Sequence, residues 1–197
     1  MLKSYLIRKL HRNKRNCIFL FLFFYFGDIM DFKITEINND DDEIGLVQNF
    51  LYDQIRKEYG IGPTPKFHYD IDGIREYYIL PERNNFFIAW DGDKIVATSA
   101  VRAYDLEYDF FKDIYSKDNT ASIWRLMVDK NYRRYGIARN LVAKIENFAR
   151  NKSYDKIYLH THRYLEAGLP FWKSLGYVVT VEEDDYDETT HMVKNLI

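Results

Sequence analysis

The chain predicts a mixed α/β fold: a central, mostly antiparallel sheet with one parallel β–α–β crossover and flanking helices. Three observations predict it. FFIAWDGDKIVATSAVRAY sets two β-rich runs on either side of Asp91-Gly92-Asp93, a hairpin pattern. SIWRLMV, GIARNLVAKIENFARNK and KIYLHTH read as strand, helix and strand at crossover length, which makes that strand pair parallel. YVVTV and HMVKNL read as a terminal antiparallel hairpin.

With 197 residues, 47% of them hydrophobic, the chain can bury one substantial core, so a single globular domain is expected. A formal net charge of −2 argues against a nonspecific nucleic-acid binder. Cys17 is the only cysteine, so no intrachain disulfide and no cysteine-based zinc site is available, and a reducing, cytoplasmic setting is favoured. Residues 1–29 differ from the rest. Lys3, Arg8, Lys9, Arg12, Lys14 and Arg15 precede the apolar run CIFLFLFFYF. As a helix that run rises about 15 Å, half of a bilayer core of roughly 30 Å. Three readings stay open for 1–29: translated upstream sequence ahead of a start at Met30, a membrane-surface anchor, or a signal lacking a small-x-small cleavage site. Membrane contact is expected only through this extension, and residues 30–197 form the domain.

The elements follow in order. FKITEI alternates as a strand. The next helix has capping candidates Asn39 and Asp40, with Glu43 three residues beyond Asp40. Ile44, Val47, Leu51 and Ile55 share its apolar face, and Gly60 ends it. The acidic run at its start reads as dipole-complementing charge rather than a cation site. A looser helical segment surrounds DIDGIREYYI, and the hairpin follows. Tyr108, Phe110, Phe111 and Tyr115, in the long connection after it, are expected to pack as a satellite cluster. The crossover helix carries Ile137, Leu141, Ile145, Phe148 and Ala149 inward, with Arg139, Lys144, Glu146 and Arg150 outward.

The chemistry concentrates in LMVDKNYRRYGIA, the link from the crossover's first strand to its helix. A helix N-terminus leaves N–H groups unpaired and favours anions. Gly136 admits a ligand close to the main chain, and Arg133 and Arg134 can fork onto phosphate oxygens. A diphosphate suits this turn. A P-loop and the G-x-G-x-x-G of dinucleotide folds are both absent. A plain solvated surface turn is the competing reading.

Arg133-Arg134-Tyr135-Gly136-Ile137-Ala138 resembles the R/Q-x-x-G-x-G/A signature of GNAT N-acetyltransferases, and AGLPFWKSLGY resembles that family's A-x-x-x-F-Y-x-x-x-G-F/Y helix. The element order from Phe32 to Asn195 agrees as well. The resemblance implies a GNAT-like fold with acetyl-CoA as co-substrate, no metal, and direct transfer of acetyl to a primary amine. It implies that amides from Arg134 to Ala138, with Arg133, cradle the pyrophosphate. Main-chain groups of Met127 and Val128 would meet the pantetheine arm, the Val128 N–H acting as oxyanion donor, and Trp172 would pack at the pantetheine end.

This chain departs from the family where protons move. Ser122 stands where relatives place a glutamate base, Trp172 where they place an acidic tyrosine, and Leu165 where an asparagine is frequent, with Tyr164 as a conceivable donor. General base and general acid are therefore unassigned; Asp105, Glu107 and Glu182 are near in connectivity only. These departures keep open an alternative function, a noncatalytic acyl-CoA-binding sensor or interaction module. His160 and His162 share a strand face and read as polar groups lining the cleft rather than as a metal pair. Glu182, Glu183, Asp184 and Asp185 read as a solvated loop or as a lure for a cationic amine. Polyamine, amino acid, antibiotic, peptide N-terminus and protein lysine all stay open as acceptors.

Overall fold

The computed structural model describes residues 32–60 and 62–196; the extension at 1–29 lies outside them. Its strands are β1 (Lys33–Glu36), β2 (Asn85–Asp91), β3 (Lys94–Ala103), β4 (Thr120–Val128), β5 (Lys156–His162), β6 (Val178–Glu182) and β7 (Thr189–Asn195). They form one sheet in the order β1-β2-β3-β4-β5-β7-β6. Every adjacent pair is antiparallel except β4 with β5, as the crossover pattern requires. The hairpin between β2 and β3 closes through Gly92 and Asp93, where Gly92 takes φ +55°, a conformation costly for other residues.

The helices are α1 (Asp41–Tyr59), α2 (Pro65–Asp72), α3 (Ile137–Asn151) and α4 (Gly168–Ser174). Asp40 caps α1 by accepting the Glu43 N–H at 2.9 Å, and Glu43 reaches back to the Asn38 N–H at 3.0 Å. Ile44, Val47, Leu51 and Ile55 are buried beneath α1 and pack with Phe86 and Ile88 of β2. The looser segment resolves into α2 and a π-helical turn at Arg75–Ile79. On the opposite face, Ile137, Leu141, Val142, Ile145 and Ala149 of α3 pack on Ala121, Ile123, Ile157 and Leu159. Glu146, expected outward, is only 9% exposed, because Lys194 of β7 donates to it at 2.8 Å. Of the expected satellite cluster, Phe111 and Tyr115 are buried with Tyr104 and Tyr158 and Tyr108 packs against them, while Phe110 touches the Phe111 ring but stays 40% exposed.

The sheet thus separates two layers. Side chains of alternating parity send Ala121, Ile123, Ile157 and Leu159 toward α3, and Ser122, Trp124, Tyr158 and His160 toward the α1–α2 side.

Candidate active site

The β4–β5 ladder is short. Only Thr120, Ala121 and Ser122 pair with Lys156, Ile157 and Tyr158, although β4 continues to Val128 and β5 to His162. Beyond Ser122 the two strands part and leave a gap inside the sheet. On its other edge β4 stays with β3, but two of its residues, Arg125 and Leu126, face one, Ser99. Such a bulge bends the strand where it leaves its neighbour. Arg125 occupies the bulge with φ +51°.

The main chain of β4 offers a donor to this gap. Asp129 donates its N–H to Val96 of β3 at 2.9 Å, so strand alternation turns the Val128 N–H the other way, into the gap. This N–H is the group expected as oxyanion donor. Met127 is a correction: it shares its parity with Asp129, so its main-chain groups face β3 and not the gap.

At the mouth of the gap lies the arginine-glycine turn. Asp129 accepts the Asn131 N–H at 2.9 Å, and Tyr132 donates its hydroxyl to Asp91 at 2.8 Å, which ties the turn to the β2–β3 hairpin. Burial alone would raise the Asp129 carboxyl, but the Asn131 N–H and Lys94 together hold it below its ordinary value. Arg134 and Gly136 both adopt left-handed conformations, at φ +73° and φ +82°, and Gly136 is the N-cap of α3. From Arg134 through Arg139 no main-chain N–H finds an acceptor among the described residues. This run of free donors on alternating backbone makes an anion-binding concavity. A Cβ built on Gly136 would meet only the Asn140 amide, at 3.8 Å, so the approach to its main chain is open. Tyr135 is exposed, Ile137 is buried under α3, and Ala138 sits in the first turn.

The two arginines differ. The Arg134 guanidinium has no partner among the described residues, whereas Arg133 is bound to Glu58 of α1 and donates through Nε to the Val128 carbonyl at 3.2 Å. Arg133, expected on phosphate, is thus engaged elsewhere. Trp172 is likewise not brought to the gap. It lies in the α3–α4 core, 5.0 Å from the Phe171 ring and 5.2 Å from the Tyr177 ring.

The α1–α2 side of the gap carries a set of groups that motif reading did not assemble. The Trp124 and His160 rings meet edge to face at 5.9 Å, where the strands have just parted. Protein surrounds the His160 imidazole densely although the residue as a whole is only partly buried, and the ring makes no hydrogen bond among the described residues. Burial first, then His162, His191 and Arg125, push its pKa down to about 4, so the ring is neutral at physiological pH. His162 stacks on Tyr164 at 5.1 Å. No group of three metal-ligating side chains forms among the described residues.

Behind His160, Tyr158 and the His191 Nδ1 lie 2.6 Å apart, and the His191 Nε2 is 2.7 Å from Glu183. Burial holds His191 below its ordinary value although Glu183 pulls the other way. Asp185 accepts from the Thr189 N–H and hydroxyl, both at 2.8 Å. Half of the acidic run therefore anchors its own loop. Ser122 is buried with its hydroxyl unpartnered, and Asp105 pairs with Arg102 at 3.1 Å. The alternation of His160 and His162 was the one sequence signal that pointed to this face.

The model of the acetyltransferase (GNAT) family matches residues 49–177. This chain belongs to the GNAT acetyltransferase family. Human N-acetylaspartate synthetase is 29% identical to this GNAT chain over 119 residues, 60% of the chain and 36% of that protein. The Xenopus tropicalis protein of the same name is 31% identical over 124 residues, 62% and 42%. Human N-acetyltransferase 8 is 25% identical over 111 residues, 56% and 46%. The chain spans less than half the length of each. Among solved structures, a GNAT-family acetyltransferase of Staphylococcus aureus matches the fold with a TM-score of 0.69 at 19% identity, over 85% of this chain and 100% of that one. The GNAT family uses acetyl-CoA as co-substrate. The opened β4–β5 pair and the free amides at its mouth fit a long diphosphate-bearing thioester, on this chain's own geometry.

Proposed function

We propose that this chain transfers acetyl from acetyl-CoA to the primary amine of an acceptor. The observation that carries the reading is the parting of β4 from β5 after Ser122, with the Val128 N–H turned into the gap. When bound, acetyl-CoA supplies an activated acyl carbon: the amine nitrogen forms the new C–N bond, the C–S bond breaks, and coenzyme A leaves as thiolate.

The chain's own groups divide the remaining work. The free amides from Arg134 to Ala138, with the unpaired Arg134 guanidinium, hold the pyrophosphate. Arg133 joins them only if it exchanges Glu58 for phosphate. The Val128 N–H donates to the thioester carbonyl oxygen as that oxygen gains charge, a contribution that needs no rearrangement during the reaction. His160 is the general base. Its neutral ring on the acceptor side has a lone pair available for the proton the amine must lose, and from there the proton passes to solvent. An amine with an ammonium pKa near ~10.4 attacks from its free-base fraction, and His160 takes the proton only once the new C–N bond has made that nitrogen acidic. The thiolate takes its proton from water, Trp172 being buried and without an acidic group. Cys17 as sole cysteine supports a cytoplasmic setting, and no helix among the described residues is long and apolar enough to cross a membrane.

The test is calorimetry with acetyl-CoA followed by thiol release over an amine panel. The panel includes aspartate, because relatives carry the name N-acetylaspartate synthetase. Binding with release supports the reading. Binding without release on any amine would favour the acyl-CoA sensor.

A further inference from the structure

The mouth of the gap is barred by a side chain of its own turn. In an extended strand the N–H and C=O of one residue point to the same side, so the Val128 carbonyl faces the gap together with its N–H. A ligand lying along β4 in place of β5 would pair with both groups, as a strand added to a free sheet edge does. That carbonyl is already taken. Arg133 donates to it through Nε at 3.2 Å, and through Nη2 it holds Glu58 of α1. The Arg133 side chain thus reaches from the turn, over the gap-facing carbonyl of β4, to the last turn of α1.

Glu58 has no local reason to stand there. It lies at the C-terminal end of α1, where the helix dipole disfavours a carboxylate and where Arg56 and Lys57 are the residues that suit it. Its only side-chain partner among the described residues is Arg133, 75 residues away. The pair is open to exchange: the Arg133 and Glu58 side chains are 39% and 25% exposed, and an ion pair so exposed is weakly held. Next to it the main-chain donors from Arg134 onward are free. The turn therefore keeps one arginine ready for an incoming phosphate and uses the other to bar the gap. A diphosphate seated on those donors offers the Arg133 fork two acceptor oxygens in place of the single Glu58 oxygen it now holds.

We propose that Glu58 sets the selectivity for the acyl donor: it holds Arg133 across the mouth of the gap until the donor's phosphates draw the guanidinium away, so a thioester without phosphates meets a barred strand edge. The proposal rests on the acetyl-transfer reading. It gives the diphosphate a second task besides anchoring, and it gives Arg133 opposite effects on two kinds of donor.

S-acetylpantetheine, which carries the thioester arm without any phosphate, is compared with acetyl-CoA. Binding of each in the absence of acceptor is followed through the Val128 amide chemical shift, which reads weak and tight ligands alike, and kcat/KM with one amine is measured alongside. Arg133→Ala removes the bar and the phosphate contact together. Its Kd for S-acetylpantetheine should fall about threefold or more, the scale of a partly exposed ion pair, while its Kd for acetyl-CoA rises. Glu58→Gln removes only the hold on Arg133; it should tighten S-acetylpantetheine likewise with no weakening of acetyl-CoA, and it reads the same quantity should Arg133→Ala not fold. If Arg133 were a phosphate contact alone, its alanine variant would weaken acetyl-CoA and leave S-acetylpantetheine unmoved. If its role were structural, both donors would weaken. Either result overturns the bar and leaves acetyl transfer standing, as does S-acetylpantetheine binding that is unchanged or undetected in Glu58→Gln. Acetyl-CoA that binds neither the wild type nor the variants would overturn the acetyl-transfer reading itself.

Discussion

His160→Gln separates the chemistry of the gap from its architecture. The imidazole titrates near 4 in the folded chain, against about 6.5 for an ordinary histidine. The folded state therefore refuses a proton that the unfolded state accepts. The stability tied to this refusal is present above pH ~6.5 and is lost as pH falls toward 4. At 1.36 kcal/mol per pKa unit the full effect is about 3 kcal/mol, most of it lost by pH 4.5. The glutamine variant has no such titration, so its urea-derived stability should fall less than wild type between pH 7 and pH 4.5, by roughly that amount. His68 and His191 shift in the same direction, but they titrate in both proteins and cancel in the comparison. At neutral pH the same variant should lose about 100-fold or more in kcat while the acetyl-CoA Kd holds, the usual span for a general base. Parallel stability curves for the two proteins would refute the depressed pKa, and unchanged kcat would remove His160 from the chemistry.

Asp70→Asn leaves the Arg125 cation without its buried partner, and should cost about 3–5 kcal/mol, read as a fall in Tm of about 10 °C; a fall of under two degrees would mean the pair is not buried as described. Glu58→Gln releases Arg133 from a partly exposed ion pair, so stability should change by less than about 1 kcal/mol and acetyl-CoA should bind as tightly or more tightly. Weaker binding in that variant would show that Glu58 orients Arg133 for the cofactor.

Much of the fold was legible because local pattern and final packing agree. The α3 stripe from Ile137 to Ala149 needs nothing beyond its own periodicity, and Gly60 and Gly136 mark helix ends that the backbone angles bear out. The misreadings arise where a partner distant in sequence decides. Glu146 looked solvent-facing until Lys194 met it from β7. Arg133 matches a phosphate motif, yet Glu58 takes its guanidinium. The bulge at Arg125 left no trace because SIWRLMV has no glycine or proline to mark an irregularity; its anchor, Asp70, comes from a short helix 55 residues earlier. His160 and His162 were readable as one face of a strand. That the face borders a gap depends on where the β4–β5 ladder stops, and no single-strand pattern encodes that.

The central claim is that the parted strands and the turn after them receive acetyl-CoA through main-chain donors. Backbone amide chemical shifts followed during an acetyl-CoA titration test it most directly. The account predicts that Val128 and Arg134 through Ala138 move most and saturate together, with Met127 moving little because its N–H stays with β3. Large shifts confined to other parts of the sheet, with Val128 and Gly136 unmoved, would contradict it.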